Sequence, residues 1–248
     1  MEGYGISTYG DKIAQVYDEL NGSISDAEAI ADFLAGLAGG SPALELAVGT
    51  GRIALPLLER GVEVHGIDAS PAMVERLRAK SRGDEIPVTM GDFAAVEVDA
   101  EYHLIYLVFN TLFALTTQED QIRCFANVAR RLAPGGAFVM EAFVPDVTRF
   151  DSHQRVDASR VELDHAALTV SRHDPVAQRV DSNHIVVESG QMTMYPVVIR
   201  YAWPAELDLM ARLAGLTLAA RYAGWHSEPF TSASESHVSV YTNTRRSG

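Results

Sequence analysis

The chain has 248 residues, 33 acidic against 20 basic, for a formal net charge of −13 with histidines neutral. That length suits one large domain or one domain carrying an insertion, and 47% apolar against 21% charged residues argues against disorder. The acidic balance argues against non-specific nucleic-acid binding, which needs a positive field, and against a polybasic membrane-surface role.

The single cysteine, Cys124, excludes an intrachain disulfide framework and a multi-cysteine zinc site. It lies in an apolar-periodic segment and reads as a buried structural thiol. The start Met1-Glu2-Gly3-Tyr4 has neither a basic n-region nor a signal-type apolar run, so no signal peptide is expected. No stretch reaches the roughly 18 apolar residues of a spanning helix. A soluble, cytoplasmic protein is expected.

In chain order, Ser25-Asp26-Ala27-Glu28 reads as a capping box opening a helix with Ile30, Phe33, Leu34 and Leu37 on one face. Ala43–Val48 is a buried strand entering the turn Gly49-Thr50-Gly51, followed by a helix with Ile53, Leu57 and Leu58. Val62–Ile67 is a second strand stopping at Asp68, and Ser70 caps a helix with Pro71 in its first turn. Ile86–Met90 is a third strand ending at Gly91-Asp92, and Leu104–Phe109 a fourth. Thr117 opens a helix with Ile122, Phe125, Ala129 and Leu132 inward, stopped by Pro134-Gly135-Gly136, before a fifth strand at Phe138–Phe143. Strands separated by helices imply right-handed parallel crossovers, hence an α/β fold with a doubly wound, mostly parallel sheet.

After Pro145 the texture changes. Arg160–Leu163, Ala167–His173, Gln178–Glu188 and Met192–Trp203 are strand-like, with turn signals at Asp174-Pro175 and Ser189-Gly190. They predict an antiparallel β meander inserted into the sheet domain. Pro204–Leu213 is then a helix, Leu216–Tyr222 a strand and His237–Thr242 the last strand. The expected units are residues 1–144 with 204–248, and an insertion at 145–203 serving as substrate floor or lid, or as a dimer surface.

The chemistry concentrates at the strand ends. Glycines let the chain turn tightly and bring bare backbone against a ligand at the carboxyl edge of a parallel sheet. Asp68, 17 residues beyond Gly51, is placed to accept both hydroxyls of a ribose. Asp92 is placed to accept from the exocyclic amine of a base. Glu45, just before the turn, would repel a pyrophosphate and suits a cationic ligand. The plainer roles are a helix cap for Asp68, a turn acid for Asp92, and core packing for Tyr17 and Met73. Gly49-Thr50-Gly51-Arg52-Ile53-Ala54 also fits the dinucleotide pattern of an NAD-dependent oxidoreductase, a reading that leaves Glu45 and Asp92 unexplained. A catalytically silent cofactor-binding protein is the non-enzyme alternative.

The combination resembles the class I S-adenosylmethionine-dependent methyltransferases. The matching motifs are Glu45-x-x-x-Gly49-x-Gly51, Gly66-Ile67-Asp68-Ala69-Ser70-Pro71-x-Met73, Gly91-Asp92-Phe93 and Leu132-Ala133-Pro134-Gly135-Gly136. The resemblance implies a seven-stranded Rossmann-like sheet and S-adenosyl-L-methionine as cofactor, leaving as S-adenosyl-L-homocysteine. It implies Asp68 on the ribose, Asp92 and Phe93 at the adenine, and Met73 on the adenine face. Arg52, the Gly49–Gly51 backbone and Tyr17 would contact the methionine end. Glu45, Ala47, Thr50, Ala69 and Phe109 complete the expected cofactor set. In the family the fourth strand often starts with an Asp; here that place holds His103.

Methyl transfer from a sulfonium centre chiefly needs alignment and water exclusion, with a base where the acceptor is an amine or hydroxyl. The acceptor should sit over strands four and five, near Asn110, Phe113, Phe143 and Tyr195, with Glu141, Tyr201 and His226 as acceptor-facing catalytic groups. Asn110 lacks the Pro-Pro-Tyr context of adenine- or glutamine-directed methyltransferases, and no basic patch is present. His153, His165, His173 and His184 cluster around the insertion without metal-ligand spacing, so no metal is expected. The layout resembles small-molecule enzymes, including those methylating deoxysugar amines in natural-product pathways. The expected partners are a small-molecule acceptor and a second copy of the chain, with no nucleic acid and no membrane.

Overall fold

The computed structural model describes residues 1–21, 26–95 and 97–243. Two short helices, α1 (Thr8–Ile13) and α2 (Tyr17–Asn21), precede α3 (Ala27–Ala38). The alternating part follows as β1 (Ala43–Leu46), α4 (Ala54–Glu59), β2 (Val64–Asp68), α5 (Pro71–Arg78), β3 (Val88–Met90), β4 (Tyr102–Leu107), α6 (Gln118–Arg131) and β5 (Leu132–Phe143). Then come β6 (Gln154–Val161), β7 (His165–Asp174), β8 (Arg179–Glu188), β9 (Gln191–Arg200), α7 (Pro204–Leu213), β10 (Leu216–Tyr222) and β11 (Ser236–Asn243).

Seven strands form one sheet in the order β10-β11-β5-β4-β1-β2-β3, and β6-β7-β8-β9 form a separate antiparallel sheet. Only β11 runs against its neighbours in the large sheet. This is the expected doubly wound sheet with an inserted meander. Its central strands are apolar on both faces because both are covered. Leu44, Leu46, Ile105 and Phe138 pack under α6 and α7, against Phe125, Val128, Leu207 and Met210. Ala43, Val64, Leu104 and Val139 pack on the opposite layer, against Ile30, Leu34, Leu57 and Leu77. Cys124 is buried in the first of these layers, and burial pushes its thiol well up, as a structural thiol requires.

Thr117 and Ser70 cap their helices through the backbone N–H of Asp120 and Met73. The capping box is corrected: Ser25 lies outside the described residues, and the cap of α3 is Asp26, whose carboxylate accepts from Ala29 N at 3.0 Å. The meander starts at Gln154, earlier than Arg160, and β5 starts at Leu132, directly after α6. Its anchor is Arg200, buried beside α6 and α7. The guanidinium donates to Gln121 Oε1 at 2.6 Å and Glu206 Oε1 at 2.7 Å, so the buried charge is paired.

In β11, His237 is fully buried, its Nδ1 2.8 Å from Ser239 Oγ and its Nε2 without a hydrogen-bond partner. Burial pushes this imidazole down to about 4, whereas the unfolded chain titrates near ~6.5. Between those values the unfolded state binds a proton that the native state refuses, so stability falls as pH drops through the window. Lowering the pH from 7 to 5 is expected to remove roughly 2 kcal/mol through this ring alone. Denaturant unfolding at both pH values should show a smaller acid loss for His237→Gln than for the wild type.

Candidate active site

The turn after β1 takes left-handed backbone at Ala47 (φ 57°), Gly49 (φ 57°) and Gly51 (φ 75°). A Cβ on Gly49 would meet nothing nearer than Ala47 O at 4.0 Å, so its bare backbone borders open space. A Cβ on Gly51 would reach within 2.3 Å of Leu77 Cδ1, so this glycine lets the turn pack on α5. Asp68 pins the turn: Oδ2 accepts from Gly49 N at 2.7 Å and Oδ1 from Ser70 N at 2.8 Å. Burial raises its carboxyl, opposed by these N–H groups and that of Ala69. Thr50 Oγ1 donates to Asp18 at 2.6 Å, and Asp18 pairs with Lys80 at 2.8 Å. Glu45 lies buried beneath the turn, where Tyr106 donates to it at 3.0 Å. Burial pushes its carboxyl up to about 8 against the pull of Tyr106 and Arg52.

The N-terminal helices cover this turn. Ile13, Ala14 and Met73 form a cluster joined by Tyr9, Val16, Tyr17 and Tyr195. Ser70 Oγ donates to Asp11 at 2.6 Å, and a Cβ on Gly10 would stand 2.6 Å from Ser70 Cβ, so α1 sits hard against α5. Tyr17 hydrogen-bonds Arg52, whose guanidinium lies 3.3 Å from the centre of the Phe109 ring. At the next strand end, Asp92 accepts from Ala94 N at 2.9 Å and from Arg123 at 3.1 Å, with Phe93 half-buried beside the core.

Beyond β4, Phe109 (φ 59°) and Asn110 (φ 61°) are both left-handed, a conformation that costs non-glycine residues roughly 1–3 kcal/mol each. Glu141 holds them there. Its Oε2 accepts from Phe109 N at 2.8 Å, its Oε1 from the Trp225 indole at 3.0 Å, and its carbonyl from Asn110 N at 3.2 Å. Asn110 Oδ1 returns the tie by accepting from Phe143 N at 2.6 Å, and Phe143 meets Phe113 edge to face at 4.9 Å.

The residues expected around one ligand are therefore brought to one edge, and of the three expected acceptor-facing groups Glu141 stands at the end of β5 with its carboxylate bonded within the chain. Both Glu141 carboxylate oxygens are engaged, one by Phe109 N of the turn and the other by the Trp225 indole. Tyr201 is buried, its hydroxyl 2.9 Å from His173 Nε2. His226 is exposed, its ring 4.0 Å from Asp26 at the start of α3. Asp18 and Trp225 were not anticipated. Asp18 stood beside Tyr17 in a segment already singled out, whereas nothing in the sequence ties Trp225 to Glu141.

The donor set fits S-adenosylmethionine. Each carboxylate oxygen has two lone pairs, so Asp68 and Asp92 keep acceptor capacity beyond the bonds they make within the chain. The carboxylates of Asp11 and Asp68 beside the turn suit a cation, whereas Asp18 is already paired with Lys80. A doubly wound sheet with a bare glycine turn and acids at the next two strand ends defines a class I S-adenosylmethionine-dependent methyltransferase.

Residues 43–136 match a family described as a methyltransferase domain. The solved structure of the CcbJ methyltransferase from Streptomyces caelestis is 39% identical, with a TM-score of 0.91 over 98% of this chain and 100% of that one. The cypemycin N-terminal methyltransferase of a Streptomyces species is 26% identical over 94% of this chain and 97% of its own length. A dTDP-4-amino-2,3,4,6-tetradeoxy-D-glucose N,N-dimethyltransferase from Saccharopolyspora spinosa is 33% identical over 40% of this chain and 39% of that protein. The chain belongs to the S-adenosylmethionine-dependent methyltransferase family and is an enzyme of that class. The dinucleotide and catalytically silent readings find no support. Among the described residues, no helix is long and apolar enough to cross a membrane.

Proposed function

We propose that the enzyme methylates an amine of a small molecule, an amino sugar or related natural-product intermediate. The observation that carries this reading is the engagement of Glu141 at the end of β5, whose two carboxylate oxygens accept from Phe109 N in the turn after β4 and from the Trp225 indole. A neutral amine attacks through its own lone pair, whereas a hydroxyl needs a base to take its proton in the transition state. Bound S-adenosylmethionine supplies an electrophilic methyl on a good leaving group. The chain supplies alignment and a dry site: Asp68 and the Gly49 backbone hold the nucleoside end, Arg52 and Tyr17 the methionine end, and α1 with Tyr195 excludes water. The names of two relatives, an N-terminal methyltransferase and a sugar N,N-dimethyltransferase, favour nitrogen as well.

In this reading residues 1–144 and 204–248 hold the cofactor, and the 145–203 insertion closes the acceptor side. Val156, Val161, Met192 and Met194 are exposed on the insertion, which suits the homodimer expected for it. Sedimentation at micromolar concentration checks this, with Met194→Glu expected to weaken any dimer.

Incubation with labelled cofactor and panels of small amines, small alcohols, peptides and nucleic acids tests the main reading. Mass detection should find the methyl on nitrogen of a small molecule. Transfer to macromolecules alone, or to hydroxyls alone, would overturn it.

A further inference from the structure

The two faces of the meander have unusual chemistry. Residues directly opposite in an antiparallel sheet point the same way, so the registers sort the side chains into rows. One face carries Ala166 with Val187 and Met192, Leu168 with Ile185 and Met194, Val156 with Val170, Asn183 and Pro196, and then Arg172 with Asp181 and Val198. The other carries Thr169, His184 and Tyr195 in one row, and Ser171, Ser182 and Val197 in the next. The polar face meets the rest of the molecule at Tyr195 and Ile199, while the other face is buried at its Val198–Arg200 end. Tyr195 packs with Ile13, Ala14 and Met73 at one end, and Val180 and Ile199 join the core under α6 and α7 at the other. A sheet that docks on a domain normally turns its apolar face inward. Here the inward face between the two anchors is hydroxyl-rich and half-buried, apart from the more exposed His184.

The polar groups come in pairs. Thr169 Oγ1 and His184 Nδ1 are 2.8 Å apart, and Ser171 Oγ and Ser182 Oγ 2.9 Å apart. Each pair uses one donor and one acceptor internally and keeps one of each for a ligand. If Thr169 donates, its oxygen still accepts and His184 Nε2 carries a proton to give; if His184 donates, the roles exchange. The two rows lie roughly 7 Å apart along the strands, the span of one substituted six-membered ring. Towards β6 the rows continue to Asp157 and Arg155.

We propose that this inward face is the acceptor-recognition surface, in which the Thr169–His184 and Ser171–Ser182 pairs grip the ring hydroxyls of a polyhydroxylated amine. The proposal rests on the amine-methylation reading and assigns its specificity to the insertion. Acceptor recognition then lies in hydroxyl pairs of the meander, separate from the turns that hold the cofactor.

The test uses the full chain saturated with S-adenosylhomocysteine. The probes are the methyl glycosides of 2-amino- and 3-amino-3-deoxyglucose, set against cyclohexylamine, with binding read by calorimetry and turnover by mass detection. The wild type is expected to prefer at least one glycoside by about tenfold or more, the equivalent of one or two net hydrogen bonds. Thr169→Val with Ser182→Ala should bring that preference near parity, by raising the glycoside Kd and KM, with S-adenosylhomocysteine affinity unchanged. His184→Gln, which keeps a donor and an acceptor, should retain part of it. If the double variant fails to fold, each single variant is read in the same way. Equal binding of cyclohexylamine by the wild type, binding of neither glycoside, or a preference untouched by the variants would overturn the proposal. N-methylation of small amines would persist in each of those cases if only this inference fails, and would be lost if the amine reading fails.

Discussion

Asp68→Ala is expected to raise the S-adenosylhomocysteine Kd on the order of 100-fold, measured by calorimetry. In the proposed cofactor site this carboxylate accepts from the ribose hydroxyls, and hydrogen bonds to a charged group are worth roughly 1.5–3 kcal/mol each. The same carboxylate also accepts from Gly49 N and Ser70 N, so its removal leaves two N–H groups without their partner in a buried place. The variant therefore loses affinity twice, once through the direct contact and once through a loosened glycine turn. Asp68→Asn separates the two effects. Its single amide oxygen keeps one of the N–H bonds while its NH₂ confronts the other, so an intermediate loss of affinity is expected. Thermal unfolding adds a second reading. Saturating S-adenosylhomocysteine should raise the wild-type midpoint by mass action, and the shift should nearly vanish in Asp68→Ala. An alanine variant that binds as tightly as the wild type would reduce Asp68 to a structural cap.

What the sequence makes legible follows from where local chemistry acts alone. The large sheet is readable because its strands are apolar on both faces, and because Ser70-Pro71 and Thr117 carry their own helix-start chemistry. The cofactor edge is readable for the same reason: Gly49, Gly51, Asp68 and Asp92 sit at strand ends, where backbone position alone fixes their placement. The acceptor edge is less legible. Glu141 looks like a free acid at a strand end, yet its role is set by Trp225, 84 residues away in the chain. Tyr201 follows an alternating strand and looks available, but it is buried in the core cluster with residues of α6 and α7, its hydroxyl on His173. The start of β6 gives a weak signal because Gln154–Ser159 sets only Val156 and Ala158 among polar residues, as suits an edge strand. Which face of the meander points inward is a property of its two anchors, Tyr195 against α1 and Ile199 against the core, and no period in the sequence reports it.

Glu141→Ala is expected to lower kcat on the order of 100-fold while changing S-adenosylhomocysteine affinity by less than about tenfold. One bond to the carboxylate, worth roughly 1.5–3 kcal/mol, ties the left-handed Phe109 N–H, and a second ties the Trp225 indole to the same group, so without the carboxylate the turn loses its side-chain tie. Asn110 then releases Phe143, and the acceptor edge of β4 and β5 loses its shape. The smaller effect on cofactor affinity comes through Phe109, which stacks under Arg52. A clamp and a general base give different signatures. Glu141→Gln keeps one oxygen for Phe109 N but sets an amide NH₂ against the Trp225 indole N–H. As a clamp, this variant should retain an intermediate kcat with the wild-type pH–rate profile. Adding Trp225→Phe removes the opposed donor, so the double variant should recover part of the loss, a coupling read directly from the double-mutant cycle. As a base, Glu141→Gln would be as slow as Glu141→Ala, its acid limb would vanish from the pH–rate profile, and Trp225→Phe would restore nothing. That pattern would return Glu141 to the chemistry and reopen hydroxyl acceptors, since a free carboxylate at this edge is what an O-methylating site would need.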